Sequence, residues 1–313
     1  MTIDKSFLDK FIKATEYAAY GASPFIGKGD KISADKGAVD MMRRELNKID
    51  MKATIVIGEG EMDEAPMLHI GEKIGTNKGP ELDIAVDPLE GTTFTSKGLP
   101  NAFSVLAVAE KGNILSAPDA YMEKIIIGSN LPQNLLSLDN SVEKNINLLG
   151  DAKNKKLSNL NACVMKRPRH ENIIKTLERL GVNINFITDG DIAGGLSVIG
   201  ESPINDIYIS TGGAPEGVIV AAALSCLDGQ MQGRLVLNKD EIIRAKKLGI
   251  TNFDKQYNID EIIKGDVIFC ASGVTPGDLT KGIKISNDKF EVTTLALHRN
   301  SKINKTVTNT HKK

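Results

Sequence analysis

Apolar residues recur at helical spacing from the start of the chain. Phe7, Leu8, Phe11, Ile12, Thr15, Ala18 and Ala19 share one face across residues 4–20, which predicts an opening helix. After the glycine-rich stretch GASPFIGKGDK, Ser33 is placed to cap a second helix reaching about residue 47, with Val39, Met42 and Leu46 facing inward. The pattern then shortens. Runs at 53–58 (ATIVIG) and 82–86 (LDIAV) read as buried strands, the second stopped by Asp87-Pro88 because proline gives no N–H to a ladder. Further strands are predicted at 103–110 and 121–127, and a helix around 141–149.

The second half alternates more plainly. A strand at 160–165 precedes an amphipathic helix opening at Pro168 and carrying Ile173, Ile174, Leu177 and Leu180. Strands at 184–188 and 206–210 are each followed by a glycine-containing loop and a helix, the last helix reaching about 227. A short helix at 259–263 and strands near 266–271 and 290–297 follow, and the polar tail after Arg299 is expected to fray. Repeated strand, loop and helix units predict an α/β fold. The Asn-, Leu-, Ser- and Lys-rich stretch at 130–158 is the expected junction between two sub-domains, 1–150 and 151–313.

Composition changes this picture only by exclusion. A chain of 313 residues can hold two cores, and a net charge of -1 gives no general reason to expect nucleic acid or a membrane surface as partner. No apolar run is long enough to span a membrane and the N-terminus lacks a signal-peptide pattern, so a cytoplasmic protein is expected. Cys163, Cys226 and Cys270 are far apart in apolar stretches and read as reduced thiols. The four histidines have no ligand spacing, which argues against imidazole-bound metal.

The acids carry more. Both early strands end in carboxylates: Glu59, Glu61, Asp63 and Glu64 after the first, Asp87 and Glu90 with Gly91 and Thr92 after the second. Neighbouring strands lie only about 4.8 Å apart, so their terminal carboxylates can converge, and crowded like charges call for divalent cations. Asp35, in the predicted second helix's first turn, could join them or simply suit the helix dipole. Oxygen ligation without Cys or His favours Mg²⁺ or Mn²⁺. Such ions in pairs make phosphate-ester hydrolysis the natural reaction class.

In the second half, 212–217 (GGAPEG) joins glycines to a helix start, which suits an anion. Glu216 there would repel phosphate unless a cation intervened; an ordinary glycine-proline helix start explains the loop equally well. Lys166, Arg167 and Arg169 cluster just past a strand and suit a second phosphate. Asp189 and Asp191 open like a calcium loop, but Ala193 and Gly200 stand where ligands are needed, leaving hydrogen bonds to sugar hydroxyls.

Five ordered motifs, DPLEGT (87–92), IGEGEMDEAPML (57–68), RPRH (167–170), ITDGDIAG (187–194) and GGAPEG (212–217), resemble those of class II fructose-1,6-bisphosphatases, within the lithium-sensitive, metal-dependent phosphatase superfamily. The resemblance runs from about residue 4 to 250. It implies a layered α-β-α-β-α sandwich, a homodimer or homotetramer, and removal of the 1-phosphate of fructose 1,6-bisphosphate to give fructose 6-phosphate in gluconeogenesis. It also implies roles by motif. Asp35, Glu59, Asp87, Glu90 and Glu216 would hold two or more Mg²⁺ or Mn²⁺ ions. Glu90, Gly91, Thr92, Tyr121, Arg167, Pro168, Arg169, Asp189, Gly190, Asp191 and Gly213 would contact substrate. Thr92, Asp35, Glu59, Glu61 and Lys31 would form the catalytic set, with Thr92 positioning the attacking water and Lys31 neutralising the scissile phosphate. Glu90, where inositol phosphatases have Asp, favours class II; Ser210-Thr211 departs from a more glycine-rich approach to GGAPEG; and the tail beyond about 299 matches no motif. The alternatives are a bifunctional enzyme that also takes sedoheptulose 1,7-bisphosphate, an inositol or nucleotide phosphatase, and, in another class, a catalytically silent sugar-phosphate sensor.

Overall fold

The computed structural model describes residues 2–59, 68–200 and 202–313. In chain order its elements are α1 (Leu8–Ala22), α2 (Lys31–Leu46), β1 (Lys52–Ile57), β2 (Lys73–Ile74), β3 (Glu81–Glu90), α3 (Thr92–Lys97) and β4 (Phe103–Glu110). There follow β5 (Tyr121–Ile127), α4 (Val142–Lys153), β6 (Asn161–Met165), α5 (Glu171–Arg179), β7 (Asn183–Ile187), α6 (Asp191–Leu196), β8 (Ile207–Gly213) and α7 (Ala214–Cys226). The last are β9 (Gln230–Val236), α8 (Lys239–Lys247), β10 (Gln256–Asn258), α9 (Ile259–Ile262), β11 (Val267–Gly273), β12 (Lys284–Ile285), β13 (Lys289–His298) and β14 (Ile303–Lys312).

Two compact units result, Met1–Ser116 with Ile263–Lys313, and Ala117–Ile262. The junction expected near 150 instead falls inside α4, in the second unit, and the C-terminal strands return to the first. The asparagines and serines that suggested a linker there belong to a helix start: Ser141 caps α4, and the buried Asn145 bonds the backbone of Ser137.

The first unit holds an eight-stranded sheet in the order β12-β13-β11-β4-β3-β1-β2, with β14 on β13. Helices α1 and α2 cover it with Phe11, Met42 and Leu46, against Ile55, Ile84 and Leu106 from the strands. The helices cross where a Cβ on Gly21 would lie 2.0 Å from the Gly37 carbonyl oxygen, so only glycine permits that approach. The tail does not fray. β14 pairs with β13 along its full length, and its inward positions carry Asn309 and His311, which bond the buried Glu16 at 2.9 and 2.6 Å. Its outward positions are mostly Thr and Lys, and that polar half made the sequence look like a loose end.

The second unit is a six-stranded sheet, β10-β9-β5-β8-β6-β7. One face packs Ile125, Ile127, Val164 and Ile207 against Ile146 and Leu149 of α4 and Leu177 of α5. The other face meets α7, whose residues from Gly217 to Ser225 are all buried. No helix among the described residues is long and apolar enough to cross a membrane.

Candidate active site

In the first unit β1 and β3 are parallel neighbours with Ile57 opposite Ala85. Glu59 and Asp87 each lie two residues beyond that last pair, Glu59 past the end of β1 and Asp87 still within β3, opposite Val105 of β4. Contrary to expectation, β3 does not stop at Pro88. It continues to Glu90 through an irregularity between Asp87 and Glu90, where a proline costs no ladder bond. The Asp87 carboxylate accepts the Leu89 N–H at 3.1 Å within that bulge, and Glu90 is buried. Gly91 then takes a left-handed conformation (φ 81°) and Thr92 is the first residue of α3.

The glycine-rich loop before α2 is tied to α3. Gly27 and Gly29 donate to the Thr95 and Ser96 carbonyls at 2.9 and 2.8 Å, and Lys31 Nζ donates to Thr93 Oγ1 at 2.8 Å. The capping residue of α2 is Asp30, not Ser33, whose N–H it accepts at 2.9 Å. Asp35 therefore sits in the second turn rather than the first, so the helix dipole no longer accounts for it. It is half-buried, burial raises its pKa, and it has no hydrogen-bond or ion-pair partner among the described residues. The half-buried Glu59 donates its N–H to the Leu68 carbonyl at 3.0 Å; Glu61, with Asp63 and Glu64, lies outside the described residues.

The second unit assembles the other predicted residues. The turn at Pro168–His170 is bound to the end of β8: Arg169 Nε and Nη2 donate to the Thr211 carbonyl at 2.9 and 2.7 Å. The Thr211 N–H donates in return to His170 Nε2 at 2.8 Å. His170 Nδ1 lies 2.6 Å from the Met165 carbonyl. That pairing fixes a neutral tautomer protonated at Nδ1, and burial holds the imidazole pKa below its usual value. The Arg169 guanidinium stacks 4.5 Å over the half-exposed Tyr121 ring. Arg167 Nη2 is turned to the Thr188 carbonyl at 2.6 Å, and Asp189 accepts the N–H of the left-handed Gly190 at 3.1 Å.

Asp191 is buried rather than presented to solvent. Lys124 donates to its Oδ2 at 2.5 Å and the Tyr208 hydroxyl to its Oδ1. Gly212 and Gly213 of GGAPEG end strand β8 instead of forming a loop, with Gly213 opposite Tyr121, and the rest of the motif opens α7. A Cβ on Gly212 would lie 1.9 Å from Asp191 Oδ2, and one on Gly213 1.8 Å from Glu216 Oε2. These glycines make room for carboxylates pressed against the backbone. Glu216 stands in the first turn of α7; its Oε2 is buried without a hydrogen-bond partner among the described residues, and burial, with the charge of Asp191, raises its pKa. An orphaned buried carboxylate oxygen fits a cation. Among the described residues no three His, Cys, Asp or Glu side chains gather as a metal-holding group.

Residues 5–311 match the family model described as bacterial fructose-1,6-bisphosphatase, glpX-encoded. The chain belongs to this family. The match includes the tail beyond 299 that no motif covered. Among its relatives is the fructose-1,6-bisphosphatase 1 class 2 of Escherichia coli (strain K12), 40% identical over 317 residues, covering 96% of this chain and 94% of that one. The class 2 fructose-1,6-bisphosphatase of Haemophilus influenzae is 38% identical over 324 residues, covering 99% and 97%. A solved inositol monophosphatase from Anabaena is 14% identical over 61% of this chain and 69% of its own, with a TM-score of 0.31, a likeness too slight to bear on function.

For a fructose-1,6-bisphosphatase family member, sequence reasoning missed Lys124, Tyr208 and the bonding role of His170. The signal for Lys124 was present: it is in phase with the buried Met122 and Ile126 of β5, where an unpaired lysine would be intolerable. Its partner, 67 residues away, was not readable.

Proposed function

We infer that this chain is a metal-dependent phosphoric monoester hydrolase that converts fructose 1,6-bisphosphate to fructose 6-phosphate and phosphate. The match of residues 5–311 to the family carries this reading. The metal requirement is supported by the chain's own donor set: a buried Glu216 oxygen and a half-buried Asp35 carboxylate, neither with a hydrogen-bond partner among the described residues, and Glu59 and Asp87, each two residues past the Ile57–Ala85 pair of the parallel strands β1 and β3.

Asp35, Glu59, Asp87, Glu90 and Glu216 would hold Mg²⁺ or Mn²⁺. Such ions, when bound, polarise phosphoryl oxygens and offset the charge of the departing alkoxide. Thr92, at the start of α3, orients the attacking water, and a carboxylate of the set Asp35, Glu59 and Glu61 takes its proton. Lys31, held near α3 by Thr93, offsets the charge of the scissile phosphate. Arg167 and Arg169 bind the distal phosphate with Tyr121, Arg169 being already oriented by the Thr211 carbonyl. Glu90, Gly91, Pro168, Asp189, Gly190 and Gly213 complete the substrate contacts, while Asp191, whose two oxygens are taken by Lys124 and Tyr208, supports them from beneath. The working form is a cytoplasmic homodimer or homotetramer.

Phosphate release from a panel of sugar bisphosphates and monophosphates, with Mg²⁺ or Mn²⁺ and after chelation, tests the reading. Fructose 1,6-bisphosphate should give the highest kcat/KM, and activity should vanish on chelation. A better seven-carbon bisphosphate, or no turnover at all, would overturn the assignment. Arg169→Ala should raise KM for bisphosphates at least about tenfold while leaving monophosphates nearly unchanged; equal effects on both would remove it from the distal site.

A further inference from the structure

We propose that Lys124 is a positioning residue for the GGAPEG segment, acting through Asp191 and the Gly213 carbonyl. The proposal rests on the reading of Glu216 as a cation ligand. Lys124 is 1% exposed and lies mid-strand in β5, opposite Ser210 of β8 and Gly233 of β9. Its ammonium donates to Asp191 Oδ2 at 2.5 Å and to the Gly213 carbonyl at 2.7 Å. Asp191 is the first residue of α6 and Gly213 the N-cap residue of α7, so one buried cation joins the starts of two helices. Tyr208 completes the arrangement by donating to Asp191 Oδ1.

Stability alone is a poor reason for a lysine here. A buried ion pair is commonly matched or bettered by apolar residues of similar volume, and the same side chain already meets the apolar start of α7, where a Cβ on Gly217 would lie 3.2 Å from Lys124 Cδ. What an apolar residue could not supply is a fixed separation between Asp191 and the Gly213 peptide. Without Lys124, Asp191 would repel the Glu216 carboxylate with no intervening charge, and the close packing of Gly212 on Asp191 and Gly213 on Glu216 would relax.

The test compares wild type, Lys124→Met, Asp191→Asn and the double variant by Mn²⁺ calorimetry without substrate, steady-state kinetics and circular dichroism. Lys124→Met should stay folded, bind Mn²⁺ about tenfold more weakly, and lose about 10–100-fold in kcat/KM, as loss of a ligand-supporting partner does. Adding Lys124→Met to Asp191→Asn should weaken Mn²⁺ binding less than Lys124→Met weakens it in wild type, because part of the lysine's effect runs through that carboxylate. Folded Lys124→Met protein within twofold of wild type in Mn²⁺ affinity and kcat/KM overturns the proposal, as do effects that multiply in the double variant. If Lys124→Met alone does not fold, the double variant, which leaves neither member of the pair as a lone charge, decides. A double variant that also fails to fold makes the pair structural and overturns the proposal, as does a wild-type protein that takes up no Mn²⁺. Failure of wild type to hydrolyse fructose 1,6-bisphosphate would refute the substrate reading but leave the Mn²⁺ comparison intact.

Discussion

At the residue scale, the candidate site divides into groups readable by type and groups readable only by environment. Asp87 was visible as an acid beside a proline at the end of an apolar run, and its backbone bond to Leu89 is a small part of its value. Asp87→Ala is therefore expected to cost about 1 kcal/mol of stability while lowering kcat by about a hundredfold or more, checked by thermal melts beside phosphate release. His170 is the contrary case, a histidine whose sequence context says nothing of its charge. Its folded-state pKa lies below the ordinary 6.5, because burial disfavours the cation and so does the neighbouring Arg169 charge. The stability from the neutral ring is thus present above about pH 6.5 and lost as pH falls through the lower folded value. His170→Gln, which keeps an acceptor but cannot titrate, should melt at more nearly equal temperatures at about pH 7.5 and about pH 5.5 than wild type does.

At the element scale, the long apolar runs declared themselves. The predicted spans 103–110 and 121–127 coincide with β4 and β5, since Val105, Leu106 and Val108 in one and Ile125, Ile126 and Ile127 in the other suit a buried strand. Elements with a polar face did not. β14 alternates Thr and Lys with Val307, Asn309 and His311, and its partner Glu16 is a charged residue inside an amphipathic helix. The buried Glu16 makes its contacts to Asn309, His311 and Thr294. Ending the chain after Arg299 strips two of those three and should destabilise the first unit by on the order of 3 kcal/mol. Glu16→Gln in the shortened chain should recover part of that loss, measured by denaturant unfolding.

At the scale of the whole molecule, the second unit is inserted in the first, and the crossing points explain why. Asn113 and Lys264 are joined by a backbone bond at 2.8 Å, and Ile114 bridges Ile263. Chain ends this close favour tolerated insertion and excision. Replacing 117–262 by a short flexible linker should leave a folded first unit with cooperative melting. It should not release phosphate, because Glu216, Arg169 and Lys124 are gone. An unfolded product would mean that the first unit depends on the second.

The residues alone determined the α/β class, the order of most strands and helices, and the oxygen-rich chemistry of the acids, because periodicity, turn residues and side-chain type are local properties. Tertiary structure alone decided what each polar group meets. It paired Lys124 with Asp191 across 67 residues, turned GGAPEG into a strand end crowded by two carboxylates, and returned the last strands to the first sheet. The physical reason is that a buried charge or glycine is specified by what lies opposite it, and that neighbour is chosen by the packing of distant elements.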